Sequence, residues 1–395
     1  MVRKFFGVGQ GAFYCEQFEE AKFQLIYDCG SFERKKLVSS IENPDTTIGK
    51  LDSEYETVLF ISHFHADHIN GIPFLIKRMK EKRLNLRYII FPYLAPKDRK
   101  LLIVYNKWLI NYVKEPETEK ELLDDDKFFT QFILNPYKAI NEAFNNEGES
   151  ELQVPKLYCI APYKKSRKSL LNMVQTEPWK AINIIDSGID INHSILKGKI
   201  RNYKFITYNL GSGKIGKRLK RKLKQEFGRK MPIKVLNDLY LNGGKEDIKK
   251  VNKIFRSIGD LNTNSMIMLS LGESIVLSLS PKNSEMEKLK TKIFSGFLYT
   301  GDYNANKYFK KINGLLIANN VSKNIGLQIP HHGSKYSFNY KLLERCGYCI
   351  ISANQNFRFK HPDDIVVDCL NEKKRPYSIV NDEPISINYN LPQKV

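Results

Sequence analysis

"ISHFHADHINGI", residues 61–72, sets His63, His65, Asp67 and His68 within six positions, directly after the apolar run "TVLFI". The whole chain has only seven histidines. Three of them in one short stretch do little for a packed core, because a buried imidazole must be hydrogen-bonded. On an extended segment residues i and i+2 point the same way, so His63 and His65 share a face. A turn after His65 then swings Asp67 and His68 to a neighbouring position. The pattern offers two adjacent ligand sets, His/His and Asp/His, for two metal ions. Mixed imidazole and carboxylate donors suit zinc, manganese or iron better than calcium or magnesium.

Outward from this stretch, "TVLFISH" (57–63) reads as a strand that delivers its end into the loop. "HINGIPFLIKRMKEK" (68–82) reads as a helix with Leu75, Ile76 and Met79 on one side, and "LRYIIFPYL" (86–94) as the next strand. Strand, loop, helix, strand is an α/β pattern with a functional loop at a strand's C-terminal end. Residues 3–30, "LYCIAPY" (157–163) and "INIIDSG" (182–188) also read as strands. "NTNSMIMLSLGESIVLSLS" (262–280) reads as a hairpin turning at Gly272-Glu273. "GFLYTGDYN" (296–304), "NIGLQIPHHGS" (324–334) and "YCIISANQ" (348–355) read as strands ending in polar loops. Two stretches differ. About 97–155 is helical in period and acidic in "EPETEKELLDDD", and 211–260 is helical and basic.

The cluster supplies four ligands, and a dinuclear site needs more. Asp302 in "LYTGDYN" stands at a strand end beside a glycine, a suitable position for a carboxylate bridging two metals, although a turn aspartate is the ordinary reading of such a triplet. "IPHHGS" adds His331 and His332, and "FRFKHPDD" adds His361 ahead of Pro362, which keeps the chain extended there. The last histidine is His193, in "DINHSIL".

The formal net charge is +20 over 395 residues, a bias toward polyanionic partners that is also compatible with solvated lysines. Much of it lies in "GSGKIGKRLKRKLKQEFGRK" (211–230). Ile215, Leu219, Leu223 and Phe227 recur every four residues and form one apolar helical stripe. The other faces carry Lys214, Lys217, Arg218, Lys220, Arg221, Lys222, Lys224, Arg229 and Lys230, against Glu226 alone. The stripe is expected to dock onto the main domain with the charges outward, and Lys217, Arg218, Arg221 and Lys224 are candidate phosphate contacts. Six cysteines are too sparse for a disulfide framework. The lone C-x-x-C of Cys346 and Cys349 reads as buried thiols rather than a zinc site. No signal-peptide core and no 18-residue apolar run is visible, so a cytoplasmic protein without a membrane segment is expected.

H-x-H-x-D-H with a later strand-borne aspartate and histidines resembles the signature of the metallo-β-lactamase superfamily. Further matches, "GVGQGAFYC…IYDCG", "NTNSMIMLSL…GFLYTGDYN", "QIPHHGSKYS" and "ISANQNFRFKHPDD", follow the order of the hydrolase domain of bacterial competence (DNA-uptake) proteins. Those domains often have aspartate where this chain has His65, and they belong to membrane channel proteins. The resemblance implies a four-layer αββα sandwich, two sheets between helices with the metals at one edge. It makes 1–395 one hydrolase domain with insertions at about 97–155 and 211–260.

The resemblance also implies roles. Asp302 bridges two metals, and Asp67 binds one and accepts a hydrogen bond from the nucleophile. By the commoner ligand order His193 is the third histidine. By the P-H-H-G-S branch, favoured here, His331 serves the first metal and His361 the second. His332 then faces the substrate as a catalytic group or an alternative ligand. Asp28 resembles the carboxylate that orients a ligand histidine through its free N–H, or is a strand-end turn residue. Ser334 and Lys335 are phosphate contacts or an ordinary surface turn. The superfamily cleaves β-lactams, thioesters, lactones, phosphodiesters and nucleic acids. The basic charge favours a phosphodiesterase or nuclease. The alternatives are a hydrolase of small substrates (a nucleotide, a phosphorylcholine ester or a lactone) and a non-catalytic module that binds nucleic acid or a protein partner.

Overall fold

A computed structural model describes residues 1–43, 53–113, 123–145, 153–163, 170, 181–210, 215–228, 235–236, 239, 244–258, 265–272, 275–280, 296–321 and 324–390. Among these residues the strands form two sheets. The larger runs in the order β10 (Ile275–Ser280), β15 (Ile385–Asn390), β1 (Val2–Phe5), β2 (Gly11–Phe18), β3 (Phe23–Ser31), β4 (Glu56–Phe60), β5 (Asn85–Pro92), β6 (Lys156–Ile160) and β7 (Asn183–Ile185). The smaller runs β14 (Tyr377–Val380), β13 (Cys346–Ser352), β12 (Ile325–Gln328), β11 (Phe297–Tyr299), β9 (Met266–Gly272) and β8 (Tyr203–Asn209).

Period-two alternation explains the layers. Val58 and Phe60 of β4 join the cluster between the sheets, while Leu59 joins the outer cluster. Met268 of β9 faces inward and Ile267 and Leu269 outward. Burial on both faces requires helices on both outer sides. Over the larger sheet, α1 (Arg34–Glu42), α3 (Ile72–Glu81), α5 (Leu123–Leu134) and α6 (Pro136–Asn145) supply Leu37, Leu75, Met79, Phe132 and Ile140. Over the smaller, α10 (Ala305–Ala318) and α11 (Asp364–Glu372) supply Ile312, Leu316, Val366 and Leu370. This is the αββα sandwich that the sequence implied.

Between the sheets, Arg3 is fully buried. Its Nε donates to Glu16 Oε1 at 2.7 Å, and its other nitrogens reach the hydroxyls of Tyr389 and Tyr203. Glu16 accepts from Ser270 and Tyr299 of the opposite sheet. A buried charge pair costs desolvation and tolerates only one arrangement of its partners, so the network fixes how the sheets face each other.

Strands β3 to β7 are parallel, as are β11 to β14. Parallel strands bring their C-terminal ends to a common edge, where ligand loops collect. The segments that follow β4, β11, β12 and β13 hold His63–His68, Asp302, His331–His332 and His361.

Two expectations are corrected. The strands expected to form a hairpin over 262–280 do not pair with each other: β9 pairs with β8 and β11, and β10 pairs with β15 in the other sheet. Both strands are apolar enough for interior positions, and local alternation carries no information about which partner each one finds. The basic helix, α8 (Ile215–Phe227), does not lie on the sandwich core. Leu219 and Leu223 pack in a separate cluster with Leu101, Tyr105 and Trp108 of α4 (Pro96–Val113) and with Val251, Ile254 and Phe255 of α9 (Lys245–Ile258). Phe32 and Phe359 touch that cluster from the sandwich side. Most of the acidic run at 115–126, together with Lys214, Arg229 and Lys230, lies outside the described residues. No helix among the described residues is long and apolar enough to cross a membrane.

Candidate metal centre

Beyond β4 the chain stays extended through His65, then turns into the single-turn helix α2 (Ala66–Ile69). That helix is the turn required by the ligand spacing, and it sets Asp67 and His68 beside the first pair. Two ligand groups result, in each of which the donor atoms lie within 4.8 Å of one another: His63, His65 and Asp302, and Asp67, His68 and His332. All six side chains are buried.

Asp302 faces both groups. Its Oδ2 is 3.5 Å from His63 Nε2 and 3.6 Å from His331 Nε2. Its Oδ1 is 3.1 Å from His68 Nε2 and 3.7 Å from His332 Nε2. Burial alone would raise its carboxyl pKa, but His331, His68, His63 and His332 outweigh that and hold it well below the ordinary range. Asp67 is likewise lowered, against the effect of burial, by the neighbouring His68 and His332. Burial and the neighbouring His63 push His65 well below its usual value. Burial would lower His68 too, yet Asp302, Asp28 and Asp67 hold it well above. A cation here would take the place of that proton.

The surrounding residues decide which ring nitrogen faces the centre. Asp28 lies within β3, three residues before its end, with φ +59°, and is fully buried. Its Oδ2 accepts from His68 Nδ1 at 2.8 Å and from the Ser62 hydroxyl at 2.7 Å, and its Oδ1 accepts from the Ser62 N–H. With its proton given to Asp28, Ser62 Oγ accepts from His63 Nδ1 at 2.9 Å. His332 Nδ1 donates to the Ser352 carbonyl at 2.7 Å. Three imidazoles therefore turn Nε2 lone pairs into one space. The Nε2 atoms of His63, His65 and His68 and Asp67 Oδ1 are buried and have no hydrogen-bond partner among the described residues. Such a convergence of buried acceptors is costly alone and is what divalent metal ions satisfy, so the donor set fits them. Two glycines permit the close approach. A Cβ on Gly301, at φ +51°, would stand 2.7 Å from Ser62, and one on Gly30 2.5 Å from the His68 nitrogen.

Two residues of this shell had no signal in the motif. Asn106 of α4 is buried, donates to the Phe64 carbonyl at 2.8 Å and accepts from the Ala66 N–H at 3.2 Å, so it clasps the ligand loop. The Tyr105 ring is 5.2 Å from that of His65. Their only trace in the sequence is a polar Asn amid the apolar run "LLIVYNKWLI". Ser62 was visible beside His63 but is too common a residue to stand out.

His331 adjoins the first group, with Nε2 3.6 Å from Asp302 Oδ2. In the second group it is His332, the alternative ligand, that meets Asp67, at 3.2 Å from Oδ2. His361 stands behind His331, ring centroids 5.9 Å apart, with Nδ1 3.6 Å from Asp363. Burial and the neighbouring His331 lower its pKa to about 3. The two adjacent histidines have nearly equal claims in sequence, and the left-handed backbone at both, φ +53° and +54°, sends them to different sides of Asp302. His193 is exposed on α7 (Ile191–Ser194). Ser334 is buried, and its backbone closes the turn, accepting from Ser337 and Phe338. Lys335 is exposed and sits 3.6 Å from Asp363. Arg221 and Lys224 are exposed, and the side chains of Lys217 and Arg218 lie outside the described residues. Cys346 and Cys349 are free and buried.

Alanine at His332 is expected to lower metal content toward half, and alanine at His193 to leave it unchanged. Elemental analysis of the purified variants reads both. A His361→Ala protein that lost metal as fully as His332→Ala would restore the set favoured from sequence.

No family model matches the chain, and no curated protein matches it. Among solved structures the chain is similar to human tRNase Z, short form, with 10% identity, a TM-score of 0.41 and 100% of both chains covered. It is similar to the metallo-beta-lactamase fold protein YhfI from Bacillus subtilis, with 10% identity, a TM-score of 0.40, and 98% of this chain and 99% of that one covered. It is also similar to Zn(2+)-bound PqqB from Methylobacterium extorquens, with 6% identity, a TM-score of 0.41, and 98% and 100% covered. Likenesses this distant bear on neither activity nor substrate.

Proposed function

We propose that this chain is a metallo-β-lactamase-type hydrolase that uses two divalent transition-metal ions, zinc, manganese or iron, and acts on phosphodiesters, most simply nucleic acid. The observation that carries the reading is Asp302, which turns one carboxylate oxygen toward each of two histidine groups. His63, His65, Asp302 and His331 would hold one ion, and Asp67, His68, His332 and the other oxygen of Asp302 the second. When bound, such a pair acidifies water and polarises a phosphoryl oxygen. Asp67 Oδ1 has no hydrogen-bond partner among the described residues, while Oδ2 lies 3.2 Å from His332 Nε2, so Oδ1 can accept a hydrogen bond from the attacking water. Asp28 and Ser62 hold His63 and His68 in the tautomer that leaves Nε2 for the metal.

The phosphodiester substrate is supported by charge. The basic helix shares its apolar cluster with α4, the helix whose Tyr105 and Asn106 line the ligand loop. The competence-type motifs point the same way, and with them the two helical regions act as insertions in one hydrolase domain. Purified, metal-replete protein is expected to carry about two equivalents of metal and to cleave nucleic acids in a panel that also holds nucleotide diesters, phosphorylcholine esters and lactones. Lasting absence of metal after reconstitution would end the hydrolase reading. Lactone cleavage without any phosphodiester cleavage would move the small-substrate alternative into its place.

A further inference from the structure

The turn that follows the histidine pair carries the most exposed large hydrophobic side chain among the described residues, Tyr336, at 73%. The backbone around it is well anchored. The Lys335 N–H donates to Asp363 Oδ2 at 2.9 Å. The Ser337 and Phe338 N–H groups both donate to the Ser334 carbonyl at 3.0 Å, and the Ser337 carbonyl accepts from Asn306 at 3.0 Å. Ser337 and Phe338 are themselves buried. A ring so exposed on so constrained a turn is not there to fill a core.

Its surroundings point to a ligand. The Ser337 hydroxyl, one residue on, is 3.1 Å from His331 Nδ1, and the other nitrogen of that ring is 3.6 Å from Asp302. The turn that carries the Tyr336 ring is thus tied to the metal centre through its next residue, Ser337. The Lys335 ammonium lies 5.4 Å from the Tyr336 ring centroid and is steadied by Asp363, 3.6 Å away. An aromatic face and a cation, side by side on the turn that follows the histidine pair, match a base and the phosphate attached to it. Stacking on an aromatic ring is indifferent to base identity, because every base has a π-face, and a Tyr on a rigid turn loses little freedom when covered.

We propose that Tyr336 is a stacking platform for the nucleobase beside the scissile phosphate, with Lys335 against the backbone. This rests on the phosphodiester reading above and narrows it to single-stranded nucleic acid, whose bases are free to leave their own stack. The test uses the full metal-replete chain and single-stranded DNA and RNA oligonucleotides, each also made with abasic positions throughout. Tyr336→Ala is expected to raise KM for the intact strands by about fivefold to a hundredfold, the size of one base–aromatic stack. Tyr336→Phe, which keeps the ring, is expected to stay near wild type. The preference of the wild type for intact over abasic strands should shrink in Tyr336→Ala by the same factor. A strand carrying 2-aminopurine should lose its stacking quench. Equal losses on intact and abasic strands, or no loss on either, would overturn the platform while leaving the hydrolase reading in place. A wild-type protein that binds and cuts no nucleic acid would instead overturn both.

Discussion

Asp302→Ala should cut hydrolysis of a confirmed substrate by roughly a thousandfold or more, the scale of several kcal/mol of lost transition-state charge stabilisation. This side chain faces both ligand groups, with Oδ1 toward His68 and His332 and Oδ2 toward His63 and His331. Removing it would deprive both of the proposed metals of one ligand at once. The fold should survive, because the loop is held by groups that the substitution keeps. The Asp302 N–H donates to Ser265, and the Thr300 and Gly301 N–H groups donate to the Gln328 side chain. The expected pattern is therefore low metal content by elemental analysis with a native circular dichroism spectrum and an undiminished metal-free melting temperature. Asp302→Asn, which keeps the shape and loses the charge, should fall nearly as far. Wild-type turnover in Asp302→Ala would remove this residue from the centre.

Asp302 also illustrates what was legible in the sequence. It stood at a strand end beside a glycine, where a turn aspartate is the ordinary reading and only the resemblance gave it a bridging role, while His63 to His68 followed an apolar strand in ligand spacing. Parallel strands then bring such ends together without further instruction. What alternation cannot carry is the partner of a strand or the path of a side chain. Residues 266–272 and 275–280 look like neighbours in a hairpin and lie in different sheets. His332, the alternative ligand in the sequence, reaches Asp67 and His68 through a backbone turn at positive φ, which leaves no trace in residue type. Asn106 arrives from a helix some forty residues along the chain and touches only backbone atoms of the ligand loop. A contact to backbone selects no particular residue in its partner, so nothing in "HFHADH" announces it.

The second large effect concerns the basic helix. Its apolar stripe is committed inward, with Leu219 and Leu223 fully buried against α4 and α9. Its single acid, Glu226, pairs with Lys253 of α9 at 3.1 Å, so the neighbouring helix offsets the one negative charge. Arg221 and Lys224 are left exposed. If the substrate is a nucleic acid, these cations release counterions from the phosphates they meet. Each contact then contributes about −0.7 to the log–log salt slope for a single strand and about −0.9 for a duplex. Reversing Lys217, Arg218, Arg221 and Lys224 to Glu should flatten the slope by about 3 and weaken binding of all sequences alike, since phosphate contacts carry no base information. Metal content and turnover of a small chromogenic diester report on the centre alone and should match wild type. Titrations of a labelled oligonucleotide at several salt concentrations give the slope directly. A quadruple variant that bound and cut nucleic acid normally at physiological salt would make this face a solvated surface or a protein-docking element. The stacking ring at Tyr336 would then have to capture its substrate without an electrostatic approach, and a small phosphodiester would become the better match to the centre.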